Sequence, residues 1–447
     1  MTGVAILHLT DLRMRNPKPL SIAILNPLGD FGINEYCWQF AEALGAAGVA
    51  VKFYTSATNT VPRPGHHVCV PVLQHQALFR QQHIDPSYAD TGSAPSEQWI
   101  PQALAIQPTP VPPSQSSVAV AVPQPLKTPL PLRAVLRKIV LTSELAAYLR
   151  FSGIDIVWTQ WPDLESYSPW FGSLCQKLGM RYVHTVHNVV PHEHGDRDLR
   201  LCERIYRDAE LLFVHSQSAR QELTGRFPET AKKVRVLGIG LYDLYPRFPH
   251  RRSVVRAQLG LTDNDHAVLF AGGIRPYKNI DSSLQALRLP GCERLVMIVA
   301  GKESAYPDLV PGEPLGRTRR LAAELGVLDR VRLLPRSLSI PELSELLEAS
   351  DIQLLPYTNV SGSGMIMLGM TFGKYIVASP SGGMDEYLVN YSQHNLLEGP
   401  VGPASVAAGL RRAASDLAQF PAIPERLPEF EWSNIALRTV DYLKGYA

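Results

Sequence analysis

The stretch Ala271-Gly-Gly-Ile-Arg-Pro-Tyr-Lys-Asn279 follows the apolar run His266 to Phe270 and sets Arg275 and Lys278 on one short turn. A guanidinium is a planar fork of donors and an ammonium a compact point charge, so the pair at a strand end suits the two phosphates of a nucleoside diphosphate. Further along, Ser363-Gly364 opens Met365 to Phe372, a run apolar on every side that reads as a buried helix. The first N–H groups of such a helix need a partner, and a phosphate is favoured there by the helix dipole. A solvated basic turn and a Ser-capped core helix without a ligand are the plain alternatives.

Three more loops follow strand-like runs, where parallel sheets bind ligands. In Asn26-Pro-Leu-Gly-Asp-Phe-Gly32, Gly29 and Gly32 would let the backbone approach a ligand, and Asn34 is expected to cap the next helix. It is not a G-x-G-x-x-G fingerprint, and a tight turn is the competing reading. His184-Thr-Val-His187-Asn188 offers imidazoles to bond a sugar hydroxyl or stabilise a charged intermediate, against the alternative of satisfied structural histidines. With His192, Glu193, His194 and Asp196 nearby the segment also resembles a metal cluster, yet no H-E-x-x-H spacing is present and no metal is expected. In Trp158-Thr-Gln-Trp161-Pro-Asp163, Trp161 could stack on a sugar and Asp163 could take a hydroxyl proton if the reaction inverts.

Those loops need a scaffold, and the apolar pattern supplies one. Ser21 to Asn26, Glu35 to Ala46 and Val49 to Tyr54 read as strand, helix and strand, the start of a parallel sheet. Strands are expected at Ile154 to Thr159, Tyr182 to Val186, Leu211 to His215 and Val234 to Leu237. A second series runs through Ala267 to Ala271, Arg294 to Ala300, Val331 to Leu334, Ile352 to Leu355 and Tyr375 to Ala378, with a capping box at Ser339 to Glu342. The fold class is therefore α/β, with two Rossmann-like doubly wound domains. The boundary is placed in Tyr245 to Arg252, giving domains 1–248 and 249–425 and a closing amphipathic helix in 426–447 that packs back on the first. From Thr91 to Leu132 prolines crowd in among Ser and Gln, and the expectation is an irregular exposed insertion without chemistry.

Length and composition fit two soluble domains: 447 residues, 45% hydrophobic and 19% charged. A net charge of +2 is too small to gather nucleic acid, so local basic sites must bind any anion. Five scattered cysteines without a C-x-x-C pair argue for a reducing compartment, and no apolar run reaches the length of a membrane span. A cytoplasmic protein is expected. Arg133 to Phe151 mixes basic and apolar residues at helical spacing, which reads first as a core-packed helix and second as a peripheral contact with the inner face of a membrane.

GGIRPYKN, SDIQLLPYTN, SGSGMIMLGMTFGKYIVAS and SGGMDEYL together resemble the donor-binding half of the two-domain GT-B glycosyltransferases, closest to the large retaining family 4. The resemblance implies a cleft between the domains in which a UDP- or GDP-linked sugar donor binds and passes its sugar to a glycan or lipid-linked acceptor, as in cell-surface or exopolysaccharide synthesis. It implies diphosphate contacts from Arg275 and Lys278 beside Gly273, and from the N–H groups of Ser363, Gly364 and Met365. His187 would touch the donor sugar, and leaving-group stabilisation by the cations would drive the reaction without a metal or other cofactor. A retaining outcome is the first expectation and an inverting one stays open. Where the family commonly carries two glutamates eight positions apart, this chain has Val360 and Leu368, and Glu386 is the nearby carboxylate left for the ribose. A non-catalytic nucleotide-sugar-binding partner and an epimerase or phosphorylase of the same architecture are the alternatives.

Overall fold

Short apolar runs separated by segments long enough to carry a helix suit the crossover connections of a parallel sheet rather than tight hairpins. In a computed structural model the chain accordingly forms two all-parallel sheets. The structure describes residues 19–26, 32–55, 65–71, 95–96, 99–104, 132–161, 169–189, 195–304, 306, 308–310, 313, 315–360, 362–420 and 427–445.

The first sheet comprises β1 (Ser21–Asn26), β2 (Ala50–Thr55), β3 (Val68–Pro71), β4 (Ile156–Thr159), β5 (Arg181–Thr185), β6 (Leu211–Val214) and β7 (Val234–Val236), in the order β3-β2-β1-β4-β5-β6-β7. The second comprises β8 (His266–Ala271), β9 (Leu295–Ala300), β10 (Val331–Leu334), β11 (Ile352–Leu355), β12 (Tyr375–Ala378) and β13 (His394–Leu396), in the order β10-β9-β8-β11-β12-β13. Both orders reverse beside their first strand, so the crevices at the carboxyl ends fall between β1 and β4 and between β8 and β11. Every residue of β1, β4, β6, β9, β11 and β12 is buried, as strands covered on both faces require.

Helices α1 (Ile33–Ala46), α3 (Leu132–Phe151), α4 (Phe171–Lys177), α5 (Gly195–Asp208) and α6 (Gln217–Arg226) accompany the first sheet, whereas α2 (Trp99–Leu104) packs on the second. The second has α7 (Arg252–Gln258), α8 (Ile280–Ala286), α9 (Gly316–Glu324), α10 (Ile340–Ala349), α11 (Gly364–Thr371), α12 (Met384–Leu388) and α13 (Pro403–Asp416), and the chain returns through α14 (Trp432–Lys444) onto α1. Glu342 accepts from the backbone N–H of Ser339 at 2.8 Å at the start of α10, the reciprocal half of the capping box. One apolar cluster is shared by both lobes: Phe40, Trp158 and Trp432 belong to it together with Met367, Ile376 and Tyr387.

Two sequence expectations are corrected here. The Pro-rich segment contains a helix, α2, whose Trp99 and Ile100 are buried against the second lobe. The Trp99 indole N–H donates to Glu345 at 2.6 Å, a partner 246 residues away. That long-range anchor, together with apolar burial, overrides the local proline content; residues 105–131 lie outside the described part. Strand β3 was also unforeseen, a short edge strand whose Val68 is exposed and therefore gives no burial pattern to read. Among the described residues, no helix is long and apolar enough to cross a membrane.

Candidate functional site

The basic turn is built by three backbone devices. Gly272 leaves β8 with φ +92°, a conformation open to glycine, and a Cβ there would sit 2.9 Å from the Lys278 ammonium. Ile274 continues the parallel pairing by donating to the Lys302 carbonyl at 2.8 Å, which pins the turn to the end of β9. Asn279, at φ 60°, then reverses the chain into α8, and asparagine tolerates that left-handed geometry better than other residues with a Cβ.

Lys278 ends up 7% exposed, with its ammonium donating to the Ala271 carbonyl at 3.3 Å and lying 5.4 Å from the centre of the Tyr357 ring. Burial, followed by the neighbouring Arg275 guanidinium, pulls its pKa down from 10.5 to about 8. A cation held this way is stabilised most by an arriving anion. Arg275 is half-buried on the same turn, and Gly273 is exposed beside it.

Tyr357 joins this turn to the mouth of α11. Its main chain follows β11, the Thr358 N–H donates to the Tyr277 carbonyl at 2.8 Å, and the Tyr357 hydroxyl interacts with the Ser363 side chain, which favours the phenolate and partly offsets burial. Ser363 is the residue before α11, 9% exposed and without a side-chain bond to the helix N–H groups. Gly364 lies so close to the other lobe that a Cβ would fall 2.4 Å from the Tyr242 hydroxyl. Met365 is half-buried in the first turn, and Ile366 to Met370 are buried. Lys278 and Ser363 thus both meet Tyr357 at the switch point of the second sheet, with Arg275 on the turn of the first and Gly364 and Met365 in the helix turn that follows the second.

Across from them stand the carboxyl ends of β4, β5 and β6. His187 bonds Gln160 at 3.2 Å and His215 at 3.0 Å, while His215 meets the Gly238 carbonyl at 3.2 Å. A Cβ on Gly362, in the loop before α11, would lie 3.9 Å from the His215 Cβ, so histidine pair and helix mouth face each other. Burial, then His215 and His184, holds the His187 pKa well below its ordinary value, and burial takes His215 to about 4. His184, taken to about 3 by burial, bonds the Thr159 hydroxyl at 2.8 Å inside the sheet.

Two site expectations change, while burial disfavours the charged form of His184, His187 and His215 alike. Asn34 does not cap α1: it is fully buried one residue inside the helix, accepting from Thr55 at 3.0 Å and Asn26 at 3.4 Å, where it ties the ends of β1 and β2. Glu386 does not wait for a ribose in this arrangement. Its carboxylate accepts the N–H groups of Gln217 and Ser218 at 2.6 and 2.7 Å, at the start of α6 in the opposite lobe.

Val360 and Leu368 are both buried and apolar, so neither position offers a carboxylate. Gly32 precedes α1 at φ 48°, and Trp161 is half-buried after β4. Gly29, Asp163, His192, Glu193 and His194 lie outside the described residues, as does the side chain of Asp196. Among the described residues no group of three His, Cys, Asp or Glu is placed to hold a metal ion. Gln160, His215 and Tyr357 were not singled out by sequence, although each follows a strand and the same edge rule points to them.

A buried carboxyl lies behind the site. Glu35, in the first turn of α1, accepts from the Tyr245 hydroxyl at 2.8 Å, and burial lifts its pKa from 4.5 to about 7. The folded state therefore holds a proton that the unfolded chain releases between those values, and stability falls as pH rises through that window. Glu35→Gln keeps an acceptor for Tyr245 without the charge. It is expected to melt higher than the wild type at pH 8, by the equivalent of roughly 3 kcal/mol at most, and equally near pH 4; parallel melting curves at both pH values would contradict this.

The glycosyl transferases group 1 family profile matches residues 252–420, and that of the glycosyl transferase 4-like domain matches residues 31–240. The chain is 29% identical over 225 residues to a D-inositol 3-phosphate glycosyltransferase of Actinosynnema mirum, covering 47% of this chain and 52% of that one. It is 26% identical over 290 residues to the protein of that name from Thermobispora bispora, covering 60% and 65%. The first of these matches spans about half the relative's length. Among solved structures, sucrose-phosphate synthase from Thermosynechococcus elongatus superimposes with a TM-score of 0.65 at 20% identity, covering 95% of this chain and 98% of that one. Anabaena HepE in complex with UDP-glucose gives 0.62 at 16%, covering 95% and 100%. These two likenesses concern the fold.

Proposed function

Because the chain belongs to the GT-B glycosyltransferases of the family 4 type, both of its lobes matching that group, we propose that it moves a hexose from a nucleoside diphosphate to a glycan or lipid-linked acceptor. The observation that carries the reading is the desolvated Lys278 ammonium, linked through Tyr357 to the open first turn of α11. In this reading Lys278 and Arg275 take up the charge that develops on the departing diphosphate, and the N–H groups of α11 bind its other oxygens. His187 meets a hydroxyl of the donor sugar, and acceptor binding is assigned to Trp161 and Asp163. Retention of configuration is the stereochemical reading, with cell-surface or exopolysaccharide synthesis as its setting. Helix α3, with Leu136, Val140 and Phe151 exposed, is the element we assign to contact with the inner face of a membrane.

The buried apolar side chains of Val360 and Leu368 favour a second reading, a partner that binds the donor without turning it over. A thermal-shift screen of UDP-, GDP- and ADP-linked sugars, followed by product analysis with the donor that raises the melting temperature most, separates the two. Sugar transfer or donor hydrolysis supports the enzyme; binding without turnover supports the partner; no stabilisation by any donor sinks both.

A further inference from the structure

The two histidines and one amide at the carboxyl edge of the first sheet form a chain whose donors and acceptors can be assigned. His215 Nδ1 lies 3.2 Å from the Gly238 carbonyl, which only accepts, so that nitrogen carries the proton. In a neutral ring the other nitrogen, Nε2, is then an acceptor, and the group 3.0 Å from it is His187 Nδ1. His187 Nδ1 therefore donates, and its Nε2 in turn holds a lone pair. Gln160 stands 3.2 Å from that Nε2 with its amide oxygen toward it, two acceptors in contact, while its buried amide nitrogen has no hydrogen-bond partner. Exchanging the amide oxygen and nitrogen of Gln160, a half-turn about its last bond, turns the clash into an N–H donation to His187.

The opposite assignment fails at the other end. If His187 Nε2 donated to Gln160, its Nδ1 would accept from His215 Nε2, leaving the His215 Nδ1 lone pair against the Gly238 carbonyl unless a buried ring became charged. The environment disfavours the charged form of both rings, with burial as the main cause. Packing removes the freedom to turn: the Tyr36 ring meets His187 edge-on at 5.2 Å and His215 at 5.1 Å. The main chain of His215 is itself held from the second lobe, whose Tyr387 hydroxyl donates to its carbonyl.

We propose that His215 and Gln160 are positioning residues that fix His187 as the neutral Nδ1–H tautomer, so that the half-buried imidazole offers its Nε2 as a hydrogen-bond acceptor. An incoming sugar hydroxyl, in place of the Gln160 N–H, then meets a lone pair and binds as a donor. The identity of that ligand rests on the function proposed above; the tautomer does not.

The test is long-range proton–nitrogen correlation spectroscopy on the full chain labelled at histidine, with His187→Gln to assign the signals. The wild type is expected to show His187 protonated at Nδ1 and bare at Nε2 at neutral pH. His215→Gln keeps a carbonyl acceptor for Nδ1–H and should preserve both that signature and turnover to within about threefold, whereas His215→Leu should mix the tautomers and slow turnover roughly five- to tenfold, the effect of one net hydrogen bond. A wild-type His187 protonated at Nε2, or an unchanged tautomer in His215→Leu, overturns the proposal, and the wild-type spectrum decides even if the leucine variant does not fold. A chain that shows the expected tautomer but binds no nucleotide sugar would refute the proposed function alone.

Discussion

Lys278→Met is expected to abolish most sugar transfer, by about 10²- to 10³-fold in kcat, and at the same time to raise the melting temperature. Both effects have one origin. The ammonium is buried against a carbonyl and a tyrosine ring, and burial lowers its pKa from 10.5 to about 8. Below pH 8 the protein therefore folds with a charge that water would solvate better, a burden of roughly 3 kcal/mol at most. Methionine fills a similar volume without that charge, so the variant should be more stable and less active, the trade-off expected where a site is built for a ligand. Above pH 8 the wild type sheds the proton and the stability gap closes. Arg275→Ala should lose transfer by a similar factor with little change in stability, since that side chain is only half-buried. A Lys278→Met protein that keeps turnover within tenfold of the wild type, or that melts lower, would count against the assignment.

Glu345→Ala is expected to have the largest effect on stability, about 3–5 kcal/mol, read from the denaturant midpoint. Glu345 is fully buried on α10 and accepts from Arg251 at 2.7 Å and from the Trp99 indole at 2.6 Å. Truncation removes a carboxylate acceptor of a largely buried guanidinium and that of an indole N–H together, and weakening the pairing of a buried charge dominates such a loss. Helix α2 should loosen with it, because Trp99 is its anchor on the second lobe; the tryptophan fluorescence would shift to the red before global unfolding. Destabilisation below about 1 kcal/mol would mean that the pair behaves as if solvated.

Much of this was legible from residues alone, for a definite reason. Strand ends and the turns after them are local features, so Arg275 and Lys278 after β8, and Ser363-Gly364 before an all-apolar helix, could be located by pattern. Contacts that cross between lobes could not. Glu386 looked free beside the glycines that precede it, yet its acceptors' partners are N–H groups at Gln217 and Ser218, 169 and 168 residues away. Trp99 sits among prolines that argue against a helix, and its distant carboxylate partner and apolar burial, neither visible locally, make one worthwhile. Asn34 carries the chemistry of a helix cap, but the ends of β1 and β2 compete for the same side chain and hold it inside the fold. The histidines were found by position, but how deeply they are buried depends on what packs over them.

The central claim is that one diphosphate bridges the basic turn after β8 and the first turn of α11. Its most direct test is a crystal structure with whichever of UDP, GDP and ADP stabilises the protein most. Phosphate oxygens within hydrogen-bond reach of Lys278 Nζ and of the Gly364 N–H together, about 2.7–3.2 Å, are predicted. A nucleotide whose phosphates lie elsewhere, with Lys278 still held only by the Ala271 carbonyl and the Tyr357 ring, would contradict it.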